Sequence, residues 1–152
     1  HINAGMPHYV VDKVAEALNT RRKAVNGSNI LVAGVAYKKD IDDMRESPAF
    51  DVMRLLEERG AIVDYHDPFI PHFQEHGHSR AGVALTAAAL EQADAVVIVT
   101  DHSTVDYQFV VDHAGLVVDT RNTTGKTTPS KARIVPLSKL SEGIPESELA
   151  HL

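Results

Sequence analysis

No cysteine occurs anywhere in this chain of 152 residues. That absence removes disulfides, thiolate zinc sites, iron–sulfur clusters and a cysteine nucleophile together, and it fits a reducing compartment. Long apolar runs are also missing: nothing approaches the ~20 consecutive apolar residues that a membrane-spanning helix needs. The opening residues 1–7 carry neither a basic n-region nor an apolar h-region. The expected location is therefore the cytoplasm. No initiator Met precedes His1, so a fragment or processed product is expected. Positive charge is in deficit, 15 Lys+Arg against 21 Asp+Glu for a net charge of −6, which argues against a general grip on nucleic acid, where clustered cations neutralise many phosphates. Local basic sites stay open. Repeats, low-complexity tracts and a second core are absent too. What is there, 43% hydrophobic and 24% charged residues with 9 Gly and 7 Pro, is the composition of one ordinary globular domain.

Along the chain, Val11, Val14, Ala15 and Leu18 fall at i, i+3, i+4 and i+7, which predicts an amphipathic helix over 7–23. Arg21, Arg22 and Lys23 would complement its negative end, and Gly27 would supply the left-handed stop. The run over 29–37 is almost entirely apolar and rich in β-branched residues, as in a strand buried on both faces of a parallel sheet. Ser47 as N-cap and Pro48 at the first helical position open a second helix, whose stripe is Ala49, Val52, Met53 and Leu56 and which Gly60 ends. Residues 61–66 form a strand stopped at Asp67-Pro68, completing a βαβ unit. The stretch 68–82 is polar and has no clear period, so a surface loop is expected. Thr86 caps a short helix over 87–93, 95–100 is a third buried strand, 107–113 a further helix, 115–120 a fourth strand, and 134–137 an edge strand. Such alternation predicts an α/β fold: a Rossmann-like, doubly wound, mainly parallel sheet with helices on both faces.

In open sheets of this kind ligands bind beyond the carboxyl ends of the strands. Lys38, Lys39 and Arg45 lie in the connection that runs from the first strand into the helix start at Ser47. Unpaired N–H groups and the helix dipole favour an anion there, an Arg can grip phosphate through two bonds, and Lys adds a point charge. Phosphate or pyrophosphate binding is the reading; the competing one is that these cations simply pair with Asp40, Asp42, Asp43 and Glu46 on the surface. Arg121, after a strand ending in Asp119, is a second candidate cation, with a salt bridge to Asp119 as its bland alternative. Asp119 could instead orient Arg121. Gly34 stands alone, with no G-x-G-x-x-G around it. Gly125-Lys126-Thr127 lacks the rest of a phosphate loop and reads as a turn. His72, His76 and His78 read as solvated rather than metal-binding, and the adjacent Asp101-His102-Ser103 cannot form a catalytic relay.

These residues also carry a resemblance. Gly34-Val-Ala-Tyr-Lys-Lys-Asp-Ile-Asp-Asp-Met-Arg-Glu-Ser-Pro48, then Arg59-Gly-Ala61 and Tyr65-His-Asp-Pro68, resemble the signature of the carboxyl-terminal domain of UDP-glucose/GDP-mannose-type nucleotide-sugar 6-dehydrogenases. Asp94-Ala-Val-Val-Ile-Val-Thr-Asp-His102 and Val118-Asp-Thr-Arg-Asn122 resemble its later motifs, so that the likeness runs over about 3–122. It implies the UDP-binding domain of an enzyme that oxidises the sugar C6 alcohol to a carboxylate in two successive hydride transfers to NAD. Tyr37 and Lys38 would contact the UDP-sugar, Arg45 would reach NAD held by the partner domain, and Arg121 would bind substrate. Residues 3–11 are similar to the helix that links the two halves and serves in dimerisation. The implied division is 1–26 as the end of that linker and dimerisation helix, and 27–152 as the UDP-sugar-binding domain. Met6-Pro7 and Ala36-Tyr37-Lys38-Lys39 look most like enzymes for UDP-N-acetylglucosamine or UDP-N-acetylmannosamine.

The family's NAD-binding glycine fingerprint and catalytic cysteine belong to an upstream region, and neither is in this sequence. The resemblance therefore implies a domain that binds without catalysing, working with its own NAD-binding half and a second copy of itself in cell-surface polysaccharide synthesis, with no nucleic-acid or membrane partner. Two readings from other classes compete: a receiver-like regulatory domain with Asp67 or Asp101 as phosphoacceptor, and a plain dimerisation module.

Overall fold

The computed structural model describes residues 5–36, 47–75 and 78–137, with only the backbone at Glu75 and His78. The first helix, α1, spans Met6–Asn19 and buries Val10, Val11, Val14, Ala17 and Leu18. Its end differs from the expected one. Lys23 N–H donates to the Leu18 carbonyl and Arg22 N–H to that of Asn19, the double closure of a Schellman turn, with Arg22 at φ 60 in the left-handed place. The stop is thus made at Arg22 and not at Gly27, and the basic triplet lies past the helix rather than in its last turn. Arg21 donates instead to the Gly115 carbonyl at 2.7 Å and Lys23 to Asp94 at 2.6 Å.

The first strand, β1, covers Asn29–Ala33 and is followed by α2, Pro48–Glu58, and β2, Ile62–His66. β1 is shorter than the apolar run that predicts it, because Gly34 turns the chain at φ 87. α2 is capped as expected, the Ser47 Oγ accepting from Ala49 N–H at 3.1 Å. The polar stretch after Asp67 is not a plain loop: β3, His72–Glu75, pairs antiparallel with β4, His78–Ala81. What holds this hairpin down is Phe73, whose ring meets Phe50 of α2 at 5.2 Å and Tyr65 of β2 at 5.1 Å. Then come α3 (Ala87–Gln92), β5 (Ala95–Ile98), α4 (Tyr107–His113), β6 (Leu116–Asp119) and β7 (Arg133–Pro136). Thr86 and Asp106 cap α3 and α4 through their side chains.

The main sheet has the order β2-β1-β5-β6-β7 and every pairing in it is parallel. Alternate residues of each strand serve opposite faces. Ile30, Val32, Val97 and Val118 face α1 and α2, whereas Leu31, Ala33, Ile98 and Val117 meet Leu90 of α3 and Val110 of α4. The chain moves outward from β1 to β2 on one side and returns across β1 to β5 on the other. The point where these paths diverge is the carboxyl edge between β1 and β5.

Candidate functional site

Three strand exits converge on that edge. Leaving β1, Gly34 passes so close to β5 that a Cβ would collide with the Thr100 carbonyl oxygen, and the Thr100 hydroxyl donates to the Ala36 carbonyl at 2.7 Å. Leaving β2, Asp67 is buried and turns its carboxylate toward β1. Its Oδ2 accepts from Val35 N–H at 2.8 Å and Ala36 N–H at 2.9 Å, and its Oδ1 from Phe69 N–H at 2.8 Å. Beyond β5, the buried His102 places Nε2 2.8 Å from the same Oδ2. Oδ2 accepts at this contact as it does from the two amides, so the ring donates through Nε2–H. The His102 ring lies 4.8 Å from that of Phe69, and its backbone N–H donates to the Tyr107 hydroxyl at 3.2 Å. Burial above all, and nearby carboxylates, hold that hydroxyl far above the ordinary tyrosine range, so it stays an uncharged O–H.

A second buried carboxylate organises the exit of β6. Asp119 Oδ1 accepts from Arg121 N–H at 3.0 Å and Thr123 N–H at 3.2 Å, and its Oδ2 from Thr124 N–H at 2.9 Å and the Thr124 hydroxyl at 2.6 Å. Within this turn Asn122 takes a left-handed conformation. Asp119 therefore shapes the backbone that carries Arg121, whose side chain is exposed at the edge. The turn over 123–127 closes by Thr127 N–H donating to the Thr124 carbonyl, as the sequence predicts for Gly125-Lys126-Thr127.

Of the site residues predicted from sequence, Arg121 stands on the expected edge. Tyr37, Lys38 and Arg45 lie outside the described residues, as does Lys39; the structure places the two ends of their segment, Ala36 and Ser47, on the same edge. Sequence reasoning missed the Asp67–His102 pair. The signal available was that both follow strands whose exits flank β1, but their meeting depends on the strand order. The receiver reading loses its phosphoacceptor at Asp67, whose buried oxygens are filled by donors. Among the described residues no three metal-ligating side chains converge. Nor does the exit of β1 fit a nicotinamide dinucleotide: the Val35 and Ala36 amides, which would have to face a pyrophosphate, are bound to Asp67.

Fold and edge together define a doubly wound α/β domain, whose candidate ligand edge is the β1–β5 divergence. The model of the UDP-glucose/GDP-mannose dehydrogenase family, UDP binding domain, matches residues 31–126, and the chain belongs to that family. It is 34% identical over 134 residues to the UDP-N-acetyl-D-mannosamine dehydrogenase of Yersinia pestis, covering 76% of this chain and 30% of that protein. It is 30% identical over 105 residues to the UDP-N-acetyl-D-glucosamine 6-dehydrogenase of Pseudomonas aeruginosa, covering 67% of this chain and 24% of that one. The UDP-N-acetyl-mannosamine dehydrogenase structure from Staphylococcus aureus superposes with a TM-score of 0.71 at 27% identity, over 92% of this chain and 32% of that one. The chain thus spans about a third or less of the relatives it matches. No helix among the described residues is long and apolar enough to cross a membrane.

Proposed function

We propose that this chain is the nucleotide-sugar-binding part of an NAD-dependent 6-dehydrogenase that oxidises the C6 alcohol of a UDP-hexose or UDP-N-acetylhexosamine to a carboxylate. In this reading Tyr37 and Lys38 contact the UDP-sugar, Arg121 binds substrate from the exit of β6, and Arg45 reaches toward the cofactor. NAD supplies the hydride acceptor and is held by a region outside this chain, in keeping with the occupied amides at the exit of β1. Residues 1–26 act as the end of a linker and dimerisation helix and 27–152 as the binding domain. The observation that carries the reading is the family match over residues 31–126, the stretch that contains the β1 exit, the capped start of α2 and Arg121.

Physically, the diphosphate is drawn by the positive end of the α2 dipole and by lysine and arginine at the same edge. Calorimetric titration of the chain with UDP tests this. UDP binds with an affinity that falls as salt rises, and Lys38→Ala and Arg121→Ala each weaken it by about 1–2 kcal/mol, the worth of a charge-assisted contact. Absence of any heat at millimolar UDP, or affinity indifferent to both substitutions, would sink the reading.

A further inference from the structure

We infer that Asp67 and His102 are positioning residues for this nucleotide site, fixing the Val35 and Ala36 amides and with them the direction in which the chain leaves β1 toward Tyr37 and Lys38. The inference rests on the functional reading above and assigns it two residues that touch no ligand. Three strands meet at one carboxylate oxygen: Asp67 from the end of β2 accepts the amides that follow β1 at 2.8 and 2.9 Å and the ring of His102 from beyond β5 at 2.8 Å. The other oxygen is held by Phe69 N–H at 2.8 Å. Both side chains are buried, at 1% and 0% exposure for His102 and Asp67, so neither reaches a ligand and any influence on binding passes through the backbone they hold.

Packing alone does not explain the pair. Apolar side chains fill such a space with less desolvation, and buried ionisable groups give little net stability. What they do give is direction, because a hydrogen-bonded network with every member satisfied has one geometry. The amides of Val35 and Ala36 have left β1, which ends at Ala33, and take the Asp67 carboxylate as acceptor. His102 in turn is fixed by Phe69 on its ring and by Tyr107 on its backbone, so the carboxylate cannot rotate without breaking contacts on three elements. This fixes the peptide units at Val35 and Ala36, which precede in sequence the segment that contributes Tyr37, Lys38 and Arg45.

Calorimetric titration with UDP, run beside thermal melting of the same samples, separates positioning from bulk stability. The proteins compared are the unaltered chain, Asp67→Asn, His102→Leu and His102→Gln. Glutamine can present an amide N–H where the ring Nε2–H stands, whereas leucine fills the space without a donor. UDP affinity falls about tenfold or more in Asp67→Asn and His102→Leu, as for loss of a group supporting a binding site, and stays within about threefold in His102→Gln. The inference is overturned if the variants melt lower while the folded chain keeps its UDP affinity, or if glutamine rescues no better than leucine. If Asp67→Asn does not fold, the two His102 variants decide. If leucine unfolds the chain, His102→Asn, whose shorter amide falls away from Oδ2, replaces it. An unaltered chain that takes up no UDP overturns the functional reading itself, an outcome distinct from loss confined to the variants.

Discussion

At the residue scale, Gly34 and Asp119 have the sharpest consequences. Gly34 combines a φ of 87 with a backbone contact against Thr100 that leaves no room for a Cβ. Gly34→Ala is expected to destabilise the chain by about 2 kcal/mol or more, strain and collision acting together, read as a lower midpoint in urea. Asp119→Ala strands the Arg121, Thr123 and Thr124 amides, at a cost of about 2–4 kcal/mol, and weakens UDP binding by freeing the turn that carries Arg121. A variant with lost stability and intact UDP affinity would separate Asp119 from the site. Part of this edge was legible in the sequence, because Arg121 and the flanking residues Ala36 and Ser47 follow or bound apolar runs. The pairing of Asp67 with His102 was not, since the two residues are separated by 35 positions and only the strand order brings them together.

At the scale of elements, caps and ion pairs decide where helices and strands begin. Ser47→Ala removes the acceptor of the Ala49 amide at the start of α2 and should cost about 1 kcal/mol, measured by denaturant titration. Asp94 ties the entry of β5 to β1: its carboxylate accepts from Asn29 N–H at 2.8 Å and pairs with Lys23 at 2.6 Å. Burial by itself would raise the Asp94 carboxyl, but Lys23 and the Asn29 amide outweigh it and the net direction is downward. A carboxyl lowered on folding contributes stability above its unfolded value, near pH ~4, and loses that contribution as pH falls through the lower folded value. Asp94→Asn should therefore cost about 1 kcal/mol at neutral pH and progressively less below pH ~4; an undiminished difference in acid would refute the pair's role. The buried strands and capped helices could be read from periodicity because burial on both faces leaves long apolar runs. The β3–β4 hairpin could not, since its short strands are mostly polar and rest on the single aromatic Phe73. The end of α1 was misjudged for a related reason: Arg22 takes the left-handed position that glycine usually fills.

At the scale of the whole molecule, α1 is part of the core and not an appendage to it. Val10, Val11, Val14, Ala17 and Leu18 pack in one cluster with α2 and with strands β1, β5 and β6. Each large apolar side chain so buried is worth ~1.5–3 kcal/mol, and together they rival the ~5–15 kcal/mol by which a domain is stable. A chain truncated before Gly27 is thus expected to lose its cooperative melting transition. Retention of that transition would show that 27–152 stands alone.

The parallel sheet has a kinetic corollary. Strand β5 joins β1 through partners 65 positions apart, as the Asn29–Asp94 bond shows, so these two neighbouring strands meet only after a long stretch of intervening chain has been arranged. Closing so long a span before any local reward is slow. The β1–β5 edge, where the proposed nucleotide site lies, is therefore expected to assemble late in refolding, so that a ligand added early would find nothing to hold.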